Sequence, residues 1–204
     1  DQRRVASADP ESGWSQPLRL GVVAIALLAL LGAAYLLVFG PNGGSTSGIE
    51  TSQLPDRGDP SVISAVQQHP SEGNAHVDPG TSVQYETMPP VSGPHYPTTV
   101  DAGWYVETPP LGALVHSLEH GAVVIYYDPA SIDAETEESL KAFATTHTGT
   151  WSSVIVAPTP VDDPAAPFVL AAWRHSLHLE QYDPETVRAF LAEFLGRGPE
   201  HPVR

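Results

Sequence analysis

The chain has 204 residues, no cysteine and a formal net charge of −15, from 24 acidic and 9 basic residues. This length accommodates one membrane anchor and one modest globular domain. Without cysteine there are no disulfides, thiolate metal sites or cysteine nucleophile. A phosphate-binding surface needs clustered lysine and arginine, so the acidic composition argues against binding to nucleic acid.

An apolar run at residues 20–39 indicates an N-terminal transmembrane helix, which we assign to residues 20–40. No charged residue occurs between Arg19 and Glu50, and the run matches the roughly 30 Å hydrocarbon core of a bilayer. A cleaved signal peptide is the alternative. Its apolar part is shorter, about 7–15 residues, and ends at a small-residue cleavage site; no such site is evident after Phe39.

Basic residues near this run lie mainly on its N-terminal side, at Arg3, Arg4 and Arg19. The positive-inside rule therefore predicts a cytoplasmic tail at residues 1–19 and an exterior location for the rest of a single-pass membrane protein. The apolar run at residues 20–39 would then contact membrane lipid.

The remaining chain divides by composition into a linker rich in proline, glycine and serine at residues 41–72 and an exterior domain at residues 73–204. Residues 76–85 resemble a turn followed by a strand. The proline-rich segment at residues 88–97 predicts an irregular loop, since each proline removes a backbone donor and restricts the residue before it.

From residue 122 onward the hydrophobic pattern predicts the order β-α-β-β-α. The apolar run at residues 122–127 is typical of a central strand, and helices are expected at residues 133–146 and 183–195. The predicted fold is therefore a compact α+β domain with a small mixed or antiparallel sheet and two main helices.

Two histidines and a glutamate precede the central strand: His116, Glu119 and His120. Histidines four residues apart share one face of a helix and can bind one ion, whereas in a strand they would be too far apart. A metal site here therefore requires a helical turn at residues 115–120.

Further candidate ligands lie earlier in the chain. Imidazoles suit zinc or copper, and methionine suits copper. We expect one copper or zinc ion, with Glu119 orienting a histidine from outside the ligand set. The candidate metal ligands are His76, Met88, His95, His116 and His120.

The segment HSLEH also fits the H-x-x-E-H pattern of zinc proteases, in which the glutamate activates water. That pattern needs a long helix and a distant acidic ligand. Here Pro109, Pro110 and Gly121 leave room for barely two turns. A zinc hydrolase is therefore the less favoured interpretation, and no catalytic residue is predicted.

Three segments together resemble the bacterial domain-of-unknown-function family 3105: PPVSGPHYP, GWYVETPP and VHSLEHGAVVIYY. The resemblance covers roughly residues 73–195 and rests on the motifs PP-x-SG-x-H and H-x-LEHG. It implies a membrane-anchored exterior domain in which the two histidine motifs occur as a set. It implies no activity. His95 is therefore expected near His116 and His120.

Two interpretations without catalysis remain. In the first, the exterior domain binds a transition metal through its histidine cluster. In the second, the protein is an accessory subunit of a larger membrane complex, and the histidines stabilise the loop structurally.

Overall fold

The structure is a computed structural model that describes residues 54–146, 153–163 and 165–200. Within these residues lie six strands and three helices. In chain order they are β1 (Gln67–Gln68), β2 (Gly103–Trp104), α1 (Leu111–Glu119), β3 (Val123–Tyr127), α2 (Ala134–Thr146), β4 (Val154–Pro158), β5 (Phe168–Ala172), β6 (His175–Leu179) and α3 (Pro184–Phe194).

The strands form one mixed sheet in the order β1-β6-β5-β3-β4-β2. The central strand β3 runs parallel to β4 and antiparallel to β5, and β4 also pairs in parallel with β2. The strands β5 and β6 form an antiparallel hairpin, and β1 pairs antiparallel with β6 at the edge.

Both faces of the central strand are buried, which explains its continuous apolar sequence. Val123, Ile125 and Tyr127 face a core shared with α2 and α3. Val124 and Tyr126 face a second core that includes Leu114 and Leu118 of α1. The helix α1 is therefore fixed against the sheet, and its last turn lies just before the start of β3.

The α+β class and the mixed sheet are confirmed. The predicted element order is wrong in one place, because β6 adds a strand before the last helix. The predicted strand within residues 76–85 is also wrong: only His76 forms an isolated bridge, with His95. A third helix, α1, begins at Leu111, four residues before the predicted helical turn.

Part of the segment that composition assigns to the linker packs on the domain. Leu54, Ile63 and Val66 contact the core shared with α2 and α3, and Arg57 donates a hydrogen bond of 2.9 Å to Glu193. Across residues 54–146, 153–163 and 165–200 we find no helix long and apolar enough to cross a bilayer. The predicted tail and span, residues 1–40, lie outside the described residues.

Candidate metal centre

The loop that carries His95 is held by polar contacts from an earlier segment. The carboxylate of Glu72 accepts hydrogen bonds from the backbone N–H groups of Glu86 and Thr87 at 2.8 and 3.0 Å. The hydroxyl of Ser92 accepts one from the backbone N–H of Glu72. Gly93 has a φ of 122°, a conformation that glycine adopts without the steric penalty of a side chain. These contacts fix the direction in which His95 leaves the loop.

His95 is completely buried and held in one tautomer. Its Nδ1 lies 2.9 Å from the carbonyl oxygen of Gly93. A carbonyl only accepts, so Nδ1 carries a proton, and Nε2 is the ring nitrogen that remains to bind an ion. Nε2 lies 3.0 Å from Oε2 of Glu119 in a geometry that is not a hydrogen bond, and it has no hydrogen-bond partner among the described residues.

Three imidazoles converge around this nitrogen. The ring centroids of His76, His95 and His116 are 4.9 to 5.0 Å from one another. One ligand atom from each ring and one from Glu119 all lie within 4.8 Å of one another. We call these four residues the inner cluster. His95, His116 and Glu119 are buried, and His76 is exposed.

The helix α1 supplies half of the inner cluster. His116 and Glu119 are three residues apart and therefore lie on one face of the helix. His120 occupies the C-cap, where its backbone N–H donates to the carbonyl of His116. The Nε2 atoms of His116 and His120 are 2.9 Å apart. The predicted helical turn thus directs both rings to the same place.

The C-terminal segment brings a second carboxylate to this helix. The backbone N–H of Gly196 donates to Gly121, and that of Glu200 donates to Glu119, at 2.8 and 3.1 Å. Oε2 of Glu200 lies 3.8 Å from Nε2 of His120. His116, His120 and Glu200 again offer ligand atoms within 4.8 Å of one another. We call these three residues the outer group.

The C-terminal segment is positioned by a close approach between its backbone and the backbone at the end of α1. A side-chain carbon at Gly198 would lie 2.1 Å from the carbonyl oxygen of Glu119. One at Gly121 would lie 2.9 to 3.0 Å from backbone atoms of residues 196–198, and Gly121 has a φ of 90°. Both positions therefore depend on glycine.

Two surface cavities flank the histidines. One, of about 700 Å³, is lined by His116, His120 and the loop at residues 97–102. This loop is tied to α1, because the backbone N–H of Val100 donates to the hydroxyl of Ser117 at 2.8 Å. The other, of about 380 Å³, is lined by Asn74, His76, Glu119, Pro199 and Glu200.

The electrostatic environment of His116 disfavours its protonated form. Burial lowers the pKa of His116 below its ordinary value of 6.5, and the neighbouring imidazoles of His120, His95 and His76 lower it further. A metal ligand must be deprotonated, so this shift favours metal binding at lower pH than for an exposed histidine.

The expectation that His95 lies beside His116 is confirmed by the distance between their rings. His120 also lies beside His116, with its Nε2 2.9 Å from that of His116. His76 joins them. Glu119, predicted as an outer orienting group, offers an oxygen with the ligand nitrogens. Met88 is 40% exposed, and its role as a ligand stays a prediction.

Glu200 is the one member of these groups that the sequence interpretation missed. Its contact with α1 depends on a close backbone approach between distant segments. The signal in the sequence was the pair of glycines at this contact, Gly121 and Gly198.

The hydrolase interpretation finds partial geometric support. His116 and His120 converge beside a cavity, as it requires. However, Glu119 does not line the cavity that these two histidines share; it lines the other one and faces His95. The structure therefore does not support Glu119 as the base that activates water for His116 and His120.

The fold and the site together define an α+β domain that presents a histidine–glutamate cluster between a proline-rich loop and a short buried helix. The chain belongs to the family described as "Protein of unknown function (DUF3105)", which matches residues 76–204. No curated protein and no solved structure matches the chain.

Proposed function

We propose that the domain binds one divalent transition-metal ion, zinc or copper, through the inner cluster of His76, His95, His116 and Glu119. The observation that carries the proposal is the fixed tautomer of His95. A metal-bound histidine commonly donates its second ring N–H to a backbone carbonyl, which orients the ring and raises its basicity. His95 does this toward Gly93 and directs its buried Nε2 toward Glu119.

The dimensions of the inner cluster suit such an ion. Ligand atoms at about 2.1 Å from a tetrahedral ion lie about 3.4 Å apart. The ligand atoms here lie within 4.8 Å of one another, and Nε2 of His95 lies 3.0 Å from Oε2 of Glu119. Small side-chain shifts are therefore enough to close the site around an ion.

The ligand types of the inner cluster favour a transition-metal ion. Three imidazoles and a carboxylate are ligands that Zn²⁺ and Cu²⁺ accept, while Mg²⁺ and Ca²⁺ prefer oxygen alone. A four-ligand protein set leaves a tetrahedral ion without an open position. We therefore propose binding rather than catalysis at the inner cluster.

The number of metal ions bound per chain tests this proposal directly. The full chain is stripped with chelator, reloaded with Zn²⁺ or Cu²⁺, freed of excess ion and subjected to elemental analysis. We expect one ion per chain and its loss in His95→Ala. His178→Ala, which removes an exposed histidine from β6, is the matched control. The proposal fails if the wild-type chain retains no ion or if both variants retain it equally.

We further propose that the metal-binding domain lies on the exterior side of the cytoplasmic membrane and that residues 20–39 anchor the chain in that membrane. The basis is the apolar run and the arginines before it. A C-terminal epitope tag should be accessible to antibody on cells whose outer barrier has been opened and whose cytoplasmic membrane is intact. Labelling only after that membrane is lysed would contradict this topology.

Association with a larger membrane complex is a separate proposal, supported by the predicted anchor and the small domain. Co-purification in mild detergent tests it, and a lone chain under those conditions would count against it.

A further inference from the structure

Resting on the proposed metal site, we infer that the outer group of His116, His120 and Glu200 is a loading site, which receives an ion from solvent and transfers it to the inner cluster. The two groups share His116. One imidazole ring therefore joins the two groups, so an ion that leaves the outer group is already beside a ligand residue of the inner cluster.

The exposure of the two groups is unequal. The side chains of His120 and Glu200 are 36% and 44% exposed, while those of His95 and Glu119 are 0% and 5% exposed. A hydrated ion can reach the first pair directly. In the inner cluster only His76 is exposed, and the other three residues are buried, so an ion held there has lost most of its water.

The number of ligands also differs. The outer group offers three, so a tetrahedral ion there would keep one position for water or an exchanging ligand. The inner cluster offers four and would close around the ion. Exchange of ligands one at a time lets protein groups replace the water molecules in steps, which lowers the barrier compared with complete dehydration before binding.

The surroundings of the outer group favour capture of a cation. His116 and His120 face the cavity of about 700 Å³, whose lining includes Asp101. Glu200 adds a carboxylate whose Oε2 lies 3.8 Å from Nε2 of His120. Negative charge at the mouth of a cleft raises the local concentration of cations and their association rate.

The experiment compares loading rates for Cu²⁺ in four forms of the full chain: the wild type, a test variant, a control variant and single Glu200→Gln. The test variant is His120→Gln with Glu200→Gln. The control is His178→Gln with Glu180→Gln, which removes an exposed histidine and an exposed carboxylate from β6 and the residue after it. Both variants change the net charge equally. Stopped-flow quenching of tryptophan fluorescence reports arrival at the inner cluster, because Trp173 lies 6.3 Å from the ring of His95.

We expect the test variant to load and release Cu²⁺ about tenfold more slowly, the low end of what a charged cleft contributes to association. Its equilibrium affinity and stoichiometry, measured by chelator competition, should equal those of the wild type. The control should load at the wild-type rate. Single Glu200→Gln, which keeps the backbone contact to Glu119, should show a smaller slowing in the same direction.

Three outcomes would overturn the inference. A test variant that loads at the wild-type rate shows that ions reach the inner cluster by another route. A test variant with lowered affinity shows that His120 and Glu200 hold the same final ion. A wild-type chain that binds no Cu²⁺ or Zn²⁺ removes the proposed function and this inference with it, so the two failures are distinguishable.

Discussion

Two sets of histidines in the described part of the chain share one local hydrogen bond but differ in their surroundings. His95 in the inner cluster donates Nδ1–H to the carbonyl two residues earlier, at Gly93. His175 in β6 does the same to Trp173, at 2.8 Å. In both rings Nδ1 therefore carries a proton, and Nε2 is the nitrogen that remains to bind an ion. We call His69, His175 and His178 the edge histidines, because they lie along the paired strands β1 and β6 or just beyond β1.

The surroundings of the two sets differ. The ring of His175 packs on Phe194, with 4.7 Å between the centroids. Nε2 of His69 bonds to the hydroxyl of Ser176 at 2.8 Å. His178 is exposed. In the described residues these rings belong to no group of converging ligand atoms, whereas His95 faces Glu119 and two other imidazoles. Fixing a tautomer therefore makes a ligand available, and only convergence makes a site.

The largest expected effect is an increase in the free energy of unfolding on Zn²⁺ binding, which should depend on the inner cluster and not on the edge histidines. Zn²⁺ at 100 times its dissociation constant should add about 2.7 kcal/mol to the free energy of unfolding, by mass action. His95→Ala should abolish this increment, and His175→Ala should preserve it even if the variant is itself less stable. Denaturant melts with and without Zn²⁺ measure the increment. An increment that survives His95→Ala, or that disappears in His175→Ala, would break the comparison.

A second expected effect concerns the backbone that positions α1. Gly121→Ala should destabilise the protein by about 2 kcal/mol more than Gly80→Ala, because the added carbon meets backbone atoms of residues 196–198. Gly80 is the matched control: its φ is 89°, close to the 90° of Gly121, but nothing lies within 4 Å of the added carbon. Both variants carry the same conformational strain, so their difference isolates the steric contact.

Chemical denaturation gives the two free energies. Equal destabilisation would show that the C-terminal segment moves away without cost and does not hold Glu200 in place. Gly121→Ala should leave the hydrogen bonds of the edge histidines unaffected.

The smallest expected effect is a dependence on pH. The pKa of His116 is lowered, first by burial and then by neighbouring histidines, and the pKa of His69 is lowered, first by burial and then by His175 and His178. The unfolded chain therefore takes up protons that the folded chain does not as pH falls below 6.5. The contribution of these two histidines to the free energy of unfolding is therefore fully present above pH 6.5 and is lost as the pH falls below it. For His116 the loss is at most about 1.4 kcal/mol per pH unit.

Histidine resonances in NMR spectra measure both titrations without metal. Zn²⁺ should suppress the titration of His116 and leave that of His69 unchanged. A response of both, or of His69 alone, would place the ion at the edge histidines instead.

Much of the sheet and the core of the site could be predicted from local sequence. The apolar run before Asp128 predicts β3, because a strand covered on both faces needs continuous apolar residues. Asp183 and Pro184 predict the start of α3, and the side chain of Asp183 does cap Glu185. The spacing of His116 and His120 predicts a shared face once a helical turn is assumed.

Other features depend on contacts that local sequence does not encode. The strand β6 was missed because the turn before it contains Arg174 with a φ of 60°, without the glycine or asparagine that usually marks such a turn. The approach of Glu200 to His120 depends on two glycines in different segments. Their proximity follows only from the complete fold.

Anomalous diffraction from crystals of the protein grown with Zn²⁺ or Cu²⁺ tests the central claim most directly. We expect one strong peak at the absorption edge of the ion, about 2.0–2.2 Å from one nitrogen each of His76, His95 and His116 and from an oxygen of Glu119. A peak at the edge histidines, or no ordered peak at saturating ion, would contradict the account.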